Sequence, residues 1–357
     1  MSTARVKVSV SMITYNHEAY IKTAIHSVLA QETSFPFELV ISNDASPDKT
    51  DEIIREIIAT HPNAGMIRYI QHAENIGMMP NYLDNLRLCQ GEYIAFCEGD
   101  DAWTDPQKLE IQIAAMTKHP ECDLSFHPAL VYSGNTATRS LSGFQHTESR
   151  IFSASEMIKG GGEFCPTASL VFKDSVLKAL LDFIEDAPIG DYFIQIMGSM
   201  RGGALYINKA MSLYRIHTDI SWTTTLNSTA RRAAFFESYA KTIQRLNHYL
   251  HGLYEKEFFF DITRHYRNLS LILLQNKAFG DYETLYKQNT ENHRNTLGIQ
   301  ILYHIGRITK SEGAATLFDR LFLIHPNPLR RAYKKMRQNW FIRHKAPGGA
   351  GCEPVNV

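Results

Sequence analysis

Short apolar runs alternate with helically spaced ones through the first hundred residues. Residues 6–13 form a β-branched apolar run, Ala19, Ile21, Ala24, Ile25, Val28 and Leu29 fall on one helical face, and residues 38–42 form a second run. Ser46-Pro47-Asp48 reads as a helix start with Ile53, Ile54, Ile57 and Ile58 as its inner face, and residues 66–71 and 93–97 supply two further strands. This order predicts an α/β fold, a mostly parallel sheet flanked by helices. From about Ser228 the strand signal gives way to long helical stretches rich in aromatic and basic residues. The pattern therefore divides the chain into an α/β domain over 1–225, a helical, basic C-terminal region over 226–345 and a disordered tail over 346–357.

Charge sharpens that division. The 357 residues carry 37 Lys/Arg and 37 Asp/Glu, yet residues 1–225 hold 17 basic against 27 acidic groups and residues 226–357 hold 20 against 10. A net −10 beside a net +10 predicts two regions with different partners. Five widely spaced cysteines without C-x-x-C spacing disfavour a disulfide framework and a structural zinc site, and fit a reducing compartment. The N-terminal residues lack the apolar core of a secretory signal, and no apolar stretch approaches the roughly 18 residues that span a bilayer. A cytoplasmic location is expected, with any membrane contact peripheral.

In a parallel sheet ligands collect at the carboxyl ends of the strands. Three segments sit there: Thr14-Tyr15-Asn16, the run from Asn43 and Asp44 to Asp48, and Glu98-Gly99-Asp100-Asp101. The last places three carboxylates at one sheet edge, which suits Mg²⁺ or Mn²⁺ completed by substrate phosphates, and equally suits a polar turn with a helix-capping Asp. Asp44 alone reads as a turn or cap residue, and Tyr15 alone as packing. Together they offer an aromatic face for a base, a carboxylate for base or ribose, and carboxylates with a metal for a diphosphate.

V-S-M-I-T-Y-N-H-E-A-Y-I-K-T-A-I-H-S-V-L-A-Q, then N-D-A-S-P-D-K-T, N-I-G and G-E-Y-I-A-F-C-E-G-D-D-A-W-T-D-P-Q-K-L, resemble in order and spacing the successive blocks of glycosyltransferase family 2. The resemblance covers roughly residues 5–225. It implies a GT-A (Rossmann-like) fold and inverting transfer of a sugar from a nucleotide-sugar, a UDP-sugar by expectation, to a glycan or lipid-linked hydroxyl, as in surface polysaccharide biosynthesis. Carried over by position, it gives Thr14, Tyr15, Asn16 and Asp44 to the donor nucleotide, Glu98 to the donor ribose or sugar, Asp100 to the metal and, with Asp101, to the donor. Two positions depart from the family pattern, Asn43 for an aspartate and Glu98 for the first aspartate of D-x-D. Asp191, in Pro188-Ile189-Gly190-Asp191, resembles the family's catalytic base, although an Asp after Gly is also a common helix cap. In the segment that closes over the donor, Arg215 is a candidate for phosphate pairing and His217 for a metal ligand.

Near the C-terminus, Leu329, Tyr333, Met336 and Trp340 form one apolar stripe, and residues 329–345 carry seven Lys/Arg and no acid. This suits an interfacial helix on anionic lipid or a helix packed on the first domain; no nucleic-acid-binding signature accompanies it. A sugar nucleotidyltransferase would need a Gly-rich phosphate loop after the first strand, and a dinucleotide oxidoreductase G-x-G-x-x-G, and T-Y-N-H-E-A-Y supplies neither. A non-catalytic nucleotide-sugar-binding or assembly protein is the alternative of a different class.

Overall fold

A computed structural model describes residues 5–181, 183–216 and 229–275. His217, the basic stripe of 329–345 and the tail of 346–357 lie outside the described residues. The described residues divide into two compact units, one within Met1–Ser221 and one within Trp222–Arg337.

The first unit opens with β1 (Val8–Thr14), α1 (Ile21–Leu29), β2 (Phe37–Asn43), α2 (Thr50–Thr60), β3 (Ile67–Gln71), α3 (Met78–Leu88) and β4 (Tyr93–Phe96). The strands lie side by side in the order β3-β2-β1-β4, every neighbouring pair parallel. Each predicted element is present, with its ends moved by no more than four residues. The helix expected from Ser46 starts at Thr50 instead, because the Asp48 carboxylate first turns the chain by accepting the Thr50 N–H at 3.0 Å.

The two faces of this sheet are built differently. Val8, Val10, Met12, Leu39 and Ile41 point to one face and pack with Ile21, Ala24, Ile25 and Val28 of α1 and Ile54 and Ile57 of α2. Each such aliphatic side chain contributes about 1.5–3 kcal/mol on burial. Ile53 and Ile58 are half-buried against the same core. Strand alternation sends Ser11 and Ser42 to the other face, under α3. There Asn81 and Asn85, one helical turn apart, meet them: the Ser11 hydroxyl donates to Asn85 Oδ1 at 2.6 Å and that of Ser42 to Asn81 Oδ1 at 2.6 Å. Asn85 Nδ2 donates to the carbonyls of Val40 (3.0 Å) and Met12 (3.3 Å). A buried polar face is stable here because its groups find partners in each other.

Beyond β4 the sheet departs from the parallel expectation. β5 (Ala102–Trp103), α4 (Lys108–Lys118), β6 (Leu124–Phe126), β7 (Ala129–Ser133), β8 (Thr136–Ser142), β9 (Arg150–Phe152), α5 (Ala154–Gly160), β10 (Val171–Lys173), α6 (Asp174–Leu180), α7 (Asp191–Ser199), β11 (Ala204–Tyr206) and β12 (Ser212–Ile216) follow. β10 runs antiparallel between β4 and β6, and β11 pairs parallel with β6 and antiparallel with β9. β5, β12, β7 and β8 form a second sheet in that order. Apart from β8, these strands have two to five residues, too few to show an alternation in a sequence window.

In the second unit, α8 (Thr229–Tyr249) and α9 (Glu255–Gln275) are the expected helices. Asp261, fully buried, accepts from the Tyr239 hydroxyl and pairs with Arg264, and the Tyr239 and His265 rings lie 4.7 Å apart. Among the described residues no helix is long and apolar enough to cross a membrane.

The polar α3 interface gives a direct test. Asn85→Ala removes three hydrogen bonds inside a closed core and should cost about 1–3 kcal/mol in urea denaturation, with native-like secondary structure retained. A loss within about 0.5 kcal/mol would show that these bonds are replaceable.

Candidate functional site at the strand ends

The carboxyl ends of β1, β2 and β4 are tied to one another by their backbones. The Asp44 N–H donates to the Thr14 carbonyl at 3.0 Å and the Gly99 N–H to the Ile13 carbonyl at 3.0 Å, which sets the three predicted segments side by side. Asn16 and Ala45, the residues that turn away from β1 and β2, have φ of +59° and +53°. Non-glycine residues pay a small strain for that conformation, and such strain clusters at ligand sites. The Asn16 N–H is held by Ser46 Oγ at 2.9 Å, and Ser46 is bound in turn to Asn43 Oδ1. Asn43 is thus a fully buried scaffold residue.

Asp44 is 2 % exposed, and its carboxylate accepts the N–H groups of Ile76 (2.7 Å) and Gly77 (3.0 Å). The N-I-G block is therefore the partner of Asp44, a role its composition does not advertise. Gly77 has a φ of +94°, a region in which a side chain would be strained. Thr14 is buried and Tyr15 half-buried at the end of β1.

The acidic segment is electrostatically loaded. Burial and the neighbouring Asp100, Asp101 and Asp191 push the Glu98 carboxyl well above the usual carboxylate range. Burial and then Asp100 do the same for Asp101. Asp101 is 1 % exposed; its Oδ1 accepts the Arg215 N–H at 3.0 Å, and its Oδ2 has no partner among the described residues. Arg215 donates to the Asp100 carbonyl and lies 4.8 Å over the Tyr20 ring, while its buried Nε has no partner among the described residues. Burial pulls its guanidinium below the usual value, against the opposing pull of Asp101 and Asp100. Arg215 accordingly braces the acidic segment from behind, a placement that its expected role as a phosphate partner did not anticipate. Among the described residues no three His, Cys, Asp or Glu groups form a closed metal site. The oxygen-rich donor set, three crowded carboxyls and the orphaned Asp101 Oδ2 fit a hard divalent cation completed by substrate phosphates.

Asp191 occupies the first position of α7. Its Oδ2 accepts the Thr167 hydroxyl at 2.7 Å and its Oδ1 the Tyr192 N–H at 2.8 Å. Burial pushes its carboxyl up, and these two hydrogen bonds oppose the push. Asp191 belongs to the same electrostatic cluster, since it helps to raise Glu98 and, after burial, Tyr82. Two side chains at this place were missed from the sequence. Thr167, in the unassigned Cys165-Pro166-Thr167, anchors Asp191, and no pattern marks it. Tyr82 forms the surface on which Gly190 rests, so closely that a Cβ there would fall 2.2 Å from Tyr82 Cε1; its buried hydroxyl has no partner among the described residues.

Comparison with known proteins bears on the family and the fold. The family model described as Glycosyl transferase family 2 matches residues 9–181. An uncharacterized protein of Mycobacterium tuberculosis (strain ATCC 25618 / H37Rv) is 31 % identical over 258 residues, covering 70 % of each chain. An uncharacterized glycosyltransferase of Nostoc sp. is 28 % identical over 216 residues, 59 % of this chain and 65 % of its own. Among solved structures, S. aureus TarS 1-349 in complex with UDP aligns with a TM-score of 0.59 at 18 % identity, covering 88 % of this chain and 90 % of that one. The same fragment with UDP-GlcNAc aligns at 0.54 and 17 % identity, covering 84 % and 92 %. At such identities the likeness is one of fold.

The carboxyl crowding has a measurable consequence without ligand. Folding holds the Glu98 proton that the unfolded chain releases near the ordinary value of 4.5, so this group's contribution to stability declines as pH rises from there toward its raised folded value. Glu98→Gln keeps the shape and removes the ionisation. With no metal or nucleotide present, the variant should melt above the parent at about pH 8, with the gap closing toward about pH 4. Parallel melting profiles across that range would show that Glu98 is not under this load.

Proposed function

The chain belongs to glycosyltransferase family 2, and we propose that it moves a sugar, with inversion, from a UDP-sugar bound with Mn²⁺ or Mg²⁺ to a hydroxyl of a glycan or lipid-linked acceptor. The observation that carries this reading is the meeting of Asp44, the Glu98–Asp101 carboxyls and Asp191 at one set of strand ends. Tyr15 and Asn16 flank the nucleobase, and Asp44, with one lone pair per oxygen left after holding Ile76 and Gly77, accepts from its imide. Glu98 lies toward the donor ribose or sugar, while Asp100, with Asp101 behind it, holds the cation. The bound cation supplies neutralising charge for the departing diphosphate.

Asp191 acts as the general base. The acceptor oxygen bonds to the anomeric carbon, the bond from that carbon to the diphosphate oxygen breaks with its electron pair leaving on the diphosphate, and the acceptor proton passes to the Asp191 carboxylate. The carboxyl is suited to this because burial makes it more basic than an ordinary Asp, while Thr167 and Tyr192 fix its orientation. Arg215 keeps Asp100 and Asp101 in place, and His217 is retained as a candidate second ligand. UDP-GlcNAc, bound by TarS, is a first donor to try. The basic residues 329–345 support a peripheral contact with an anionic membrane surface, where a lipid-linked acceptor for surface polysaccharide would reside.

The test is UDP release from a panel of UDP-sugars with Mn²⁺ or Mg²⁺; turnover untouched by a chelator would remove the metal from the reading. Asp191→Asn should lower kcat by about 10²- to 10⁴-fold while UDP binding is kept, and a variant that transfers normally removes Asp191 as base. Thr167→Val should move the acidic limb of the kcat/KM profile to higher pH, because the lost hydrogen bond favoured the charged carboxylate. An unmoved limb would assign that limb to another group.

A further inference from the structure

His17 follows the T-Y-N segment, and neither its sequence context nor the proposed reaction assigns it a task. It is nonetheless among the most firmly placed side chains of the site. Its N–H donates to Thr50 Oγ1 at 2.9 Å, and its carbonyl accepts the N–H groups of Tyr20 and Ile21, both at 2.9 Å, as α1 begins. Its ring Nδ1 lies 3.1 Å from Thr14 Oγ1. Gly99 closes the third side: a Cβ there would sit 2.8 Å from His17 Nδ1 and 2.6 Å from Thr14 Oγ1, so only glycine lets the acidic segment lie against this ring. His17 Nε2 is thereby brought to 3.9 Å from Asp100 Oδ2, with the two side chains 14 % and 17 % exposed.

We infer that His17 Nε2 is a nitrogen ligand, beside the Asp100 carboxylate, for the divalent cation that accompanies the nucleotide-sugar. The inference rests on the metal-dependent donor reading given above and adds a ligand to it. Metal-bound histidines donate their other ring N–H to a fixed acceptor, and the Thr14 hydroxyl oxygen is placed to receive Nδ1–H, which leaves the Nε2 lone pair facing the carboxylate. Two donors each about 2.1 Å from one ion lie no more than about 4.2 Å apart, and the 3.9 Å gap falls within that limit. An imidazole in the set also favours a transition ion, so Mn²⁺ should be bound in preference to Mg²⁺. Thr14, assigned to the donor from the sequence, would then act through the ring it orients.

The test reads the ion rather than turnover. Mn²⁺ is bound to the full chain with UDP in an amine-free buffer, and pulsed electron paramagnetic resonance is used to detect ¹⁴N coupled to the metal. The coupling should be present in the parent and in His217→Gln, and lost when His17→Gln is added to His217→Gln, with about a 10- to 100-fold fall in Mn²⁺ affinity and a smaller fall for Mg²⁺ relative to His217→Gln alone. His217→Gln leaves the first-strand ring untouched, so retention of the coupling there supports the assignment even if the His17 variant folds poorly. Mn²⁺ bound with UDP but without nitrogen coupling in the parent, coupling lost in His217→Gln, or coupling persisting in the His17→Gln/His217→Gln double variant would each overturn the role of His17 and leave the metal-dependent reading standing. Failure of Mn²⁺ to bind at all in the presence of UDP would overturn both.

Discussion

Three carboxyls at the end of one buried strand repel each other, and much of what surrounds β4 serves to hold them there. Glu98, Asp100 and Asp101 follow β4 directly, and Asp191 adds a fourth carboxyl to the same field. The fold answers locally and incompletely. β12 turns the Arg215 N–H onto Asp101, the Arg215 side chain reaches the Asp100 carbonyl, and Tyr20 stacks on its guanidinium. One oxygen of Asp101 is still left without a partner among the described residues. A site that completed this compensation internally would have no free charge with which to hold a cation and a diphosphate.

The same requirement explains the polar face of the sheet. The N-I-G loop that Asp44 holds is the entry to α3, so α3 has to dock in one register for the loop to meet the carboxylate. An apolar interface tolerates sliding, whereas Asn81 against Ser42 and Asn85 against Ser11 allow one register only, because any shift leaves buried amides unpaired. α1 and α2, which pack on the opposite face, use mainly aliphatic contacts. Positional accuracy is concentrated where the strand ends carry function.

The half of the site built from consecutive β-α units was legible in the sequence. β1 and β2 run seven residues each and β4, though four, is a fully buried apolar run, and ligand-competent residues follow them, so Thr14, Asp44 and the acidic segment can be placed from the sequence. The other half depends on contacts between residues far apart in the chain. Thr167, in a short helical turn, meets Asp191 across 24 residues, and Arg215 meets Asp101 across 114, neither marked by a pattern in the sequence between them. Tyr82 and His17 were illegible for another reason: a tyrosine in an amphipathic helix and a histidine in a turn have ordinary explanations, and only the neighbours at Gly190 and Asp100 set them apart.

On the proposed reading, the order of events at the site follows from the electrostatics. Without a cation, burial and mutual crowding push the Glu98 and Asp101 carboxyls well above the usual carboxylate range, which favours their protonated forms. Asp100 and Asp101 would hold a cation bound with the donor diphosphate, and its charge would favour proton loss from the acids it touches. Asp191 would feel the same field at longer range, while burial continues to hold its carboxyl above that of an exposed Asp. Donor binding would then ready Asp191 before the acceptor is engaged, and the carboxyl crowding would couple the two halves of the proposed reaction.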